Sequence, residues 1–156
     1  MTERLAPTSH LSLDVKLQVP VRASRARAWE ILTTRMGDWM RSYPGREHMG
    51  LVLEARPGGM LWRPFPEGGG CWWATVRYLK PLHRLDLVGP FFMEGPSVTT
   101  IVFTLESAPG DESNGPCTLS VHHRIMGESP PESEMANEAW RCFLEEFYIP
   151  LSEGSS

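Results

Sequence analysis

Two adjacent histidines, His122 and His123, lie in the alternating, β-branched run Cys117–Ile125. Neighbouring residues on a strand point to opposite faces, so one imidazole turns inward. The phase of Leu119 and Val121 selects His123. An inward imidazole can act as a general base or orient a ligand. The plainer reading, a hydrogen-bonded buried histidine, stands beside it. Glu54, Asp86 and Glu94 are the candidate acids. Glu94 falls in the loop Phe91–Pro96, where it can sit at a cavity mouth, and it joins His123 as a candidate for acid–base work. Arg63 and Arg77 are cations that could hold a carboxylate. With Val76, Leu85 and Leu87 inward, Asp86 and Arg77 face outward as solvated charges.

Other chemistries find little support. Adjacent histidines on a strand diverge, and no third ligand stands at a diagnostic spacing, so no metal is expected. There is no GxSxG, HExxH, P-loop or GxGxxG pattern, and no cofactor is expected. Cys71 and Cys142 have no neighbouring base and read as packed, inert thiols.

The aromatic residues are the stronger signal. Trp39, Trp62, Trp72, Phe91, Trp140 and Phe143, with Ala136 and His123, are expected to line an apolar space that could take a small molecule. Rings that merely fill a core would look the same in sequence. The phase of Ala74 and Val76 puts Trp72 inside and Trp73 outside, in reach of a partner or a dimer mate.

These residues must be positioned by a strand-rich frame. Leu11, Leu13, Val15, Leu17 and Val19 alternate with polar residues as a half-buried strand, which Pro20 is expected to end. Helical spacing follows over Ser24–Met36, with Ser24 as N-cap and Gly37 as the residue after the end. Asp38 is expected to cap a short turn through Trp39–Tyr43. The runs Met49–Arg56, Gly59–Pro64, Trp72–Leu79, Arg84–Val88, Val98–Glu106 and Cys117–Ile125, separated by Gly and Pro clusters, read as an antiparallel meander. The last element is a long amphipathic helix. Ser129-Pro130-Pro131-Glu132 fits a capping box, Ala136, Trp140, Phe143 and Phe147 form the apolar stripe, and Pro150 is expected to end it.

The 156 residues are read as one domain, 1–156, with a core of about 11–151 and loose ends. A net charge of −4 with scattered basic residues argues against nucleic acid as a partner. No run is long and apolar enough for a membrane span, and the first residues lack a signal-peptide pattern. Three cysteines without a CxxC pair suit a reducing cytoplasm.

In this order the elements resemble the START-related (SRPBCC, helix-grip) superfamily, and within it the family named after the activator of Hsp90 ATPase. The carriers are Val15–Val19 running into Ala28-Trp29-Glu30-Ile31-Leu32, then Arg56-Pro57-Gly58-Gly59-Met60-Leu61-Trp62, Ala74-Thr75-Val76 with Lys80-Pro81, Val98–Glu106, Thr118–His123 and Trp140. The resemblance implies an α+β fold: a curved antiparallel sheet of six or seven strands gripping the C-terminal helix, with two short helices after the first strand. It also implies a deep, mostly apolar cavity between sheet and helix. Three functions remain open at this level. They are binding of an apolar or aromatic molecule or lipid, a cyclase-, aromatase- or hydrolase-like enzyme, and an interaction module that regulates a chaperone, a homodimer being possible. The Trp72-Trp73 pair and the Gly68–Gly70 run depart from the family pattern, and the additional N-terminal domain of two-domain co-chaperones is not seen in this sequence.

Overall fold

The structure is a computed structural model describing residues 11–93, 95–110, 114–127, 131 and 133–154. Strand β1 (Leu11–Val21) leads into α1 (Arg25–Thr34) and the one-turn α2 (Met36–Trp39). The strands β2 (Val52–Leu53), β3 (Met60–Pro64), β4 (Gly70–Lys80), β5 (Arg84–Gly89), β6 (Ser97–Ser107) and β7 (Cys117–Gly127) follow. The C-terminal helix comprises α3 (Ser133–Arg141), a π-helical segment (Cys142–Tyr148) and α4 (Ile149–Ser152). The strands form one curved antiparallel sheet in the order β1-β7-β6-β5-β4-β3-β2. Consecutive strands pair as hairpins from β2 to β7, and β7 then pairs along the whole of β1. This is the α+β helix-grip arrangement expected from the sequence.

Alternation along β6 and β7 buries Ile101, Phe103, Leu105, Leu119, Val121 and Ile125 on the concave face. The C-terminal helix covers that face with Ala136, Trp140, Leu144 and Tyr148, while α1 adds Ala28, Ile31 and Leu32. The Tyr148 hydroxyl donates to the Ala28 carbonyl at 2.8 Å, tying the last helix to α1. Trp39 stacks edge-on against both Tyr148 and Phe103, with centroids 5.3 and 6.0 Å away.

β1 does not stop at Pro20 but runs to Val21, because β1 is an edge strand where a missing N–H leaves no partner unsatisfied. Ser24 does cap α1, accepting from the Arg27 N–H at 3.1 Å, but α1 ends at Thr34 and Gly37 lies inside α2. A Cβ at Gly37 would come within 2.4 Å of the Leu51 carbonyl oxygen, so glycine serves close packing there. Asp38 lies within α2 rather than capping a later turn. Of Met49–Arg56 only Val52–Leu53 pairs, since the chain turns back at Glu54–Gly59. Three of the four residues of the proposed capping box, and Glu94, lie outside the described residues.

The last helix does not end at Pro150; it continues to Ser152. A proline ring collides with the carbonyl one α-turn back, and the wider π turn preceding Pro150 opens room for it. The π segment also moves the apolar stripe. Ala136, Trp140, Leu144, Tyr148 and Ser152 are buried at every fourth position. Phe143 and Phe147, expected on that line, are only partly buried.

Candidate functional site

Beneath the first half of the C-terminal helix lies a partly enclosed cavity of about 340 Å³. Its helix wall is Met135, Ala136, Ala139, Trp140 and Phe143. The sheet supplies Arg63, Trp73, Ile101 and His123, and the β5–β6 connection supplies Phe91 and Phe92. The segment after α2 closes the remaining side with Met40, Arg41, Ser42, Tyr43 and Met49.

That segment is pinned to the helix by polar contacts. Arg46 makes a two-point bond to Glu146 at 2.6 and 3.0 Å, and the Tyr43 hydroxyl donates to Glu138 at 3.1 Å. The guanidinium of Arg41 donates to the Asp38 carbonyl at 2.8 Å and sits 4.7 Å above the Phe147 ring. Such exposed contacts add little to stability individually but fix where the cavity wall stands.

Trp73 enters the cavity through a β-bulge. Leu61 pairs with Ala74 and Trp62 with Trp72, so Trp73 is the extra residue of β4. The bulge breaks the alternation read from Ala74 and Val76. Trp73 is therefore 7% exposed and inside, whereas Trp72 is 49% exposed and outside. The Trp72 indole turns back to donate to the Ala74 carbonyl at 2.9 Å. The sequence assignment of these two rings is thus reversed. Trp62, opposite Trp72, shares the outer face and does not line the cavity. Trp39 is fully buried in the core, away from the cavity lining.

Gly89 makes the next step possible. A Cβ there would lie 2.4 Å from the Trp73 carbonyl oxygen and 2.6 Å from the Ala74 Cα. The close approach lets the Phe91 N–H donate to the Trp73 carbonyl at 2.8 Å. Phe91 adopts a left-handed backbone, φ 55°, which costs a non-glycine residue of order 1 kcal/mol. Its ring is buried and packs edge-on to Trp73 with centroids 6.2 Å apart.

His123 points inward as the strand phase predicted, and His122 points outward to Asp14 at 2.7 Å. The Trp140 indole N–H donates to His123 Nδ1 at 2.9 Å. An indole nitrogen can only donate, so Nδ1 carries the lone pair and the ring proton of neutral His123 resides on Nε2. Burial, with the neighbouring His122 adding to it, pushes the His123 pKa down to about 4. The ring is therefore neutral at pH 7. Nε2 has no hydrogen-bond partner among the described residues, and the ring lines the cavity. His123 thus offers the cavity a donor, while its basic nitrogen is already engaged. That geometry runs against the general-base role.

Of the eight residues expected to bind ligand, the structure gathers Phe91, His123, Ala136, Trp140 and Phe143 around one cavity and places Trp39, Trp62 and Trp72 elsewhere. Met40, Met49 and Ile101 were not singled out in the sequence. Ile101 could have been found from its position opposite His123 on a paired strand, but the two methionines lie in irregular chain that carries no periodicity.

The other chemical candidates lie off the cavity. Asp86 faces outward, but it is buried rather than solvated, because Arg84 covers it at 2.7 and 3.0 Å and Arg77 at 3.0 Å. Burial alone would raise its pKa; the bonds from Arg84 and Arg77 outweigh it and hold the carboxyl below the usual range. Glu54 pairs with Arg56 at 3.3 Å. Cys142 is buried, and burial first, then Glu146, pushes its thiol up, as suits an unreactive thiol. Cys71 is exposed rather than packed, being at the open end of β4. No metal-ligating cluster is present among the described residues. No helix among the described residues is long and apolar enough to cross a membrane.

No protein-family model and no curated protein matches the chain. Solved structures do resemble it. Protein CV1439 from Chromobacterium violaceum superposes with a TM-score of 0.64 at 17% identity, covering 90% of this chain and 96% of that one. CalU16 from Micromonospora echinospora gives 0.59 at 16% identity, over 92% and 76% of the two chains. Truncated norcoclaurine synthase from Thalictrum flavum gives 0.50 at 10% identity, over 80% and 81%. At such identities the likeness is one of fold, and the fold is helix-grip.

Proposed function

We propose that this protein binds an apolar or aromatic small molecule or lipid in the cavity between the sheet and the C-terminal helix. The observation that carries the reading is the cavity itself. Its roughly 340 Å³ are walled mainly by aromatic, aliphatic and methionine side chains, with His123 as a single buried polar group aimed inward. Small-molecule sites have this character: mostly apolar walls, a few fixed polar groups, and about 300–1,000 Å³ of space. Affinity would come from apolar burial at about 25 cal/mol per Å², and orientation from His123. A thermal-shift screen followed by native mass spectrometry against aromatic, polyketide-like and fatty-acyl compounds tests it. Saturable one-to-one binding is expected; the absence of any stabilising compound would count against it.

The same cavity could host a reaction, and norcoclaurine synthase is a catalyst of this fold by name. The engaged Nδ1 of His123 favours binding over proton abstraction. We further place the chain near the family of Hsp90 ATPase activators on the strength of the sequence motifs alone. A cytoplasmic setting is supported by the three free cysteines. A chaperone-regulating role or a homodimer would use the outer sheet face, where Trp72 is exposed.

A further inference from the structure

Among the described residues that line the cavity, the charged side chains are Arg41 and Arg63, and there is no carboxylate. Arg41 gives its Nε–H to the Asp38 carbonyl and stacks over the Phe147 ring, which holds its head against the helix. Arg63 is different. It follows Leu61 on the concave face of β3, with Trp62 on the other side. No acidic group among the described residues pairs with it.

The second polar group, His123, presents an N–H donor. The Tyr43 proton is already given to Glu138. The cavity therefore offers unspent donors, among them the His123 N–H and the charged guanidinium of Arg63, set in a mainly apolar wall. A cationic or purely donating ligand would find no counter-charge there. A carboxylate would, and the planar fork of arginine matches its two oxygens.

We propose that the ligand is an apolar or aromatic carboxylate, with its acid group on Arg63 and its body against Trp73 and Trp140. This rests on the reading of the cavity as a binding site and narrows it to an anion. The body could be an aryl ring or an alkyl chain, and the two are separable by experiment.

Isothermal titration with matched acid and amide pairs is the test: 2-naphthoate against 2-naphthamide, and octanoate against octanamide, on the wild type and on Arg63→Gln. Arg63 is exposed, and an unchanged melting temperature of the variant establishes that its fold is intact. The wild type is expected to favour the acid of at least one pair by roughly tenfold or more, as suits charge-assisted hydrogen bonds. Arg63→Gln should erase that preference, weakening the acid far more than the amide. The pair that shows the preference identifies the body as aryl or alkyl. Equal binding of acid and amide by the wild type overturns the anion assignment and leaves the cavity reading standing. A preference that survives in Arg63→Gln overturns the role of Arg63. Failure of all four probes overturns both.

Discussion

The indole N–H of Trp140 donates to His123 Nδ1 across 2.9 Å, joining the C-terminal helix to strand β7 at the inner wall of the cavity. This one bond fixes the histidine tautomer, spends its basic nitrogen, and holds the Trp140 ring edge-on to Phe103 and Phe143. Its consequences are measurable.

The first concerns pH. The folded-state pKa of His123 is about 4. An unfolded histidine takes up a proton near pH 6.5, so the unfolded chain binds a proton that the folded chain refuses. Stability should fall as pH drops from about 6.5 towards 4, by up to about 3 kcal/mol, and level off below. Urea unfolding of the wild type at pH 7 and pH 4.5 should show this loss, and His123→Gln should lack most of it. Nitrogen NMR should show the Nε2–H tautomer at pH 7. A His123 titration near 6.5 would contradict the geometry.

Asp86 adds a second, lower acid limb. Its pKa is held below the ordinary carboxylate value by Arg84 and Arg77, against the opposing effect of burial. Its contribution is present above about pH 4 and is lost as pH falls through the depressed value. Removing both arginines (Arg77→Gln with Arg84→Gln) strands a buried charge and should cost about 2–4 kcal/mol. Asp86→Asn leaves only hydratable arginines and should cost less. Denaturant midpoints of the two variants at pH 7 decide the order.

The bulge predicts opposite behaviour for adjacent tryptophans. Trp73→Ala removes a buried ring and should destabilise by about 3 kcal/mol or more, whereas Trp72→Ala should cost about 1 kcal/mol or less. Acrylamide should quench Trp72 fluorescence far better than that of Trp73, read from the single-tryptophan losses. Better quenching of Trp73 than of Trp72 would mean that the alternation without a bulge is correct.

Gly89 is the hinge of the same region. A methyl group there meets backbone atoms of Trp73 and Ala74 that have no side-chain freedom to yield. Gly89→Ala should therefore cost about 2 kcal/mol or more and loosen Phe91 from the cavity wall. Calorimetric melting, with probe affinity measured on the same sample, would show both effects together.

The strands β5, β6 and β7, the Ser24 cap and the inward turn of His123 were legible because each follows an unbroken period or a single local bond. Strand phase puts Trp72 and Trp73 the wrong way round because one inserted residue flips every side chain beyond it, and Trp-Trp carries no mark of the insertion. An α-helical period puts Phe143 and Phe147 on the main stripe, but the segment that carries them is π-helical. The collision that Pro150 would make in a regular α-helix is the clue in the sequence, and it marks a widened turn as well as it marks a stop. The methionines of the cavity could not be found at all from pattern, since tertiary packing alone brings Met40 and Met49 to the helix.

Binding of a neutral aromatic probe such as 2-naphthol to the wild type and to Ala139→Phe, followed by titration calorimetry, tests the cavity most directly. Ala139 lines the space from the helix side and is only partly buried, so a phenyl ring there fills the cavity without displacing the core. Saturable one-to-one binding to the wild type, lost in Ala139→Phe at unchanged melting temperature, is the predicted result. No saturable binding, or equal binding by both proteins, would contradict a ligand site under the C-terminal helix.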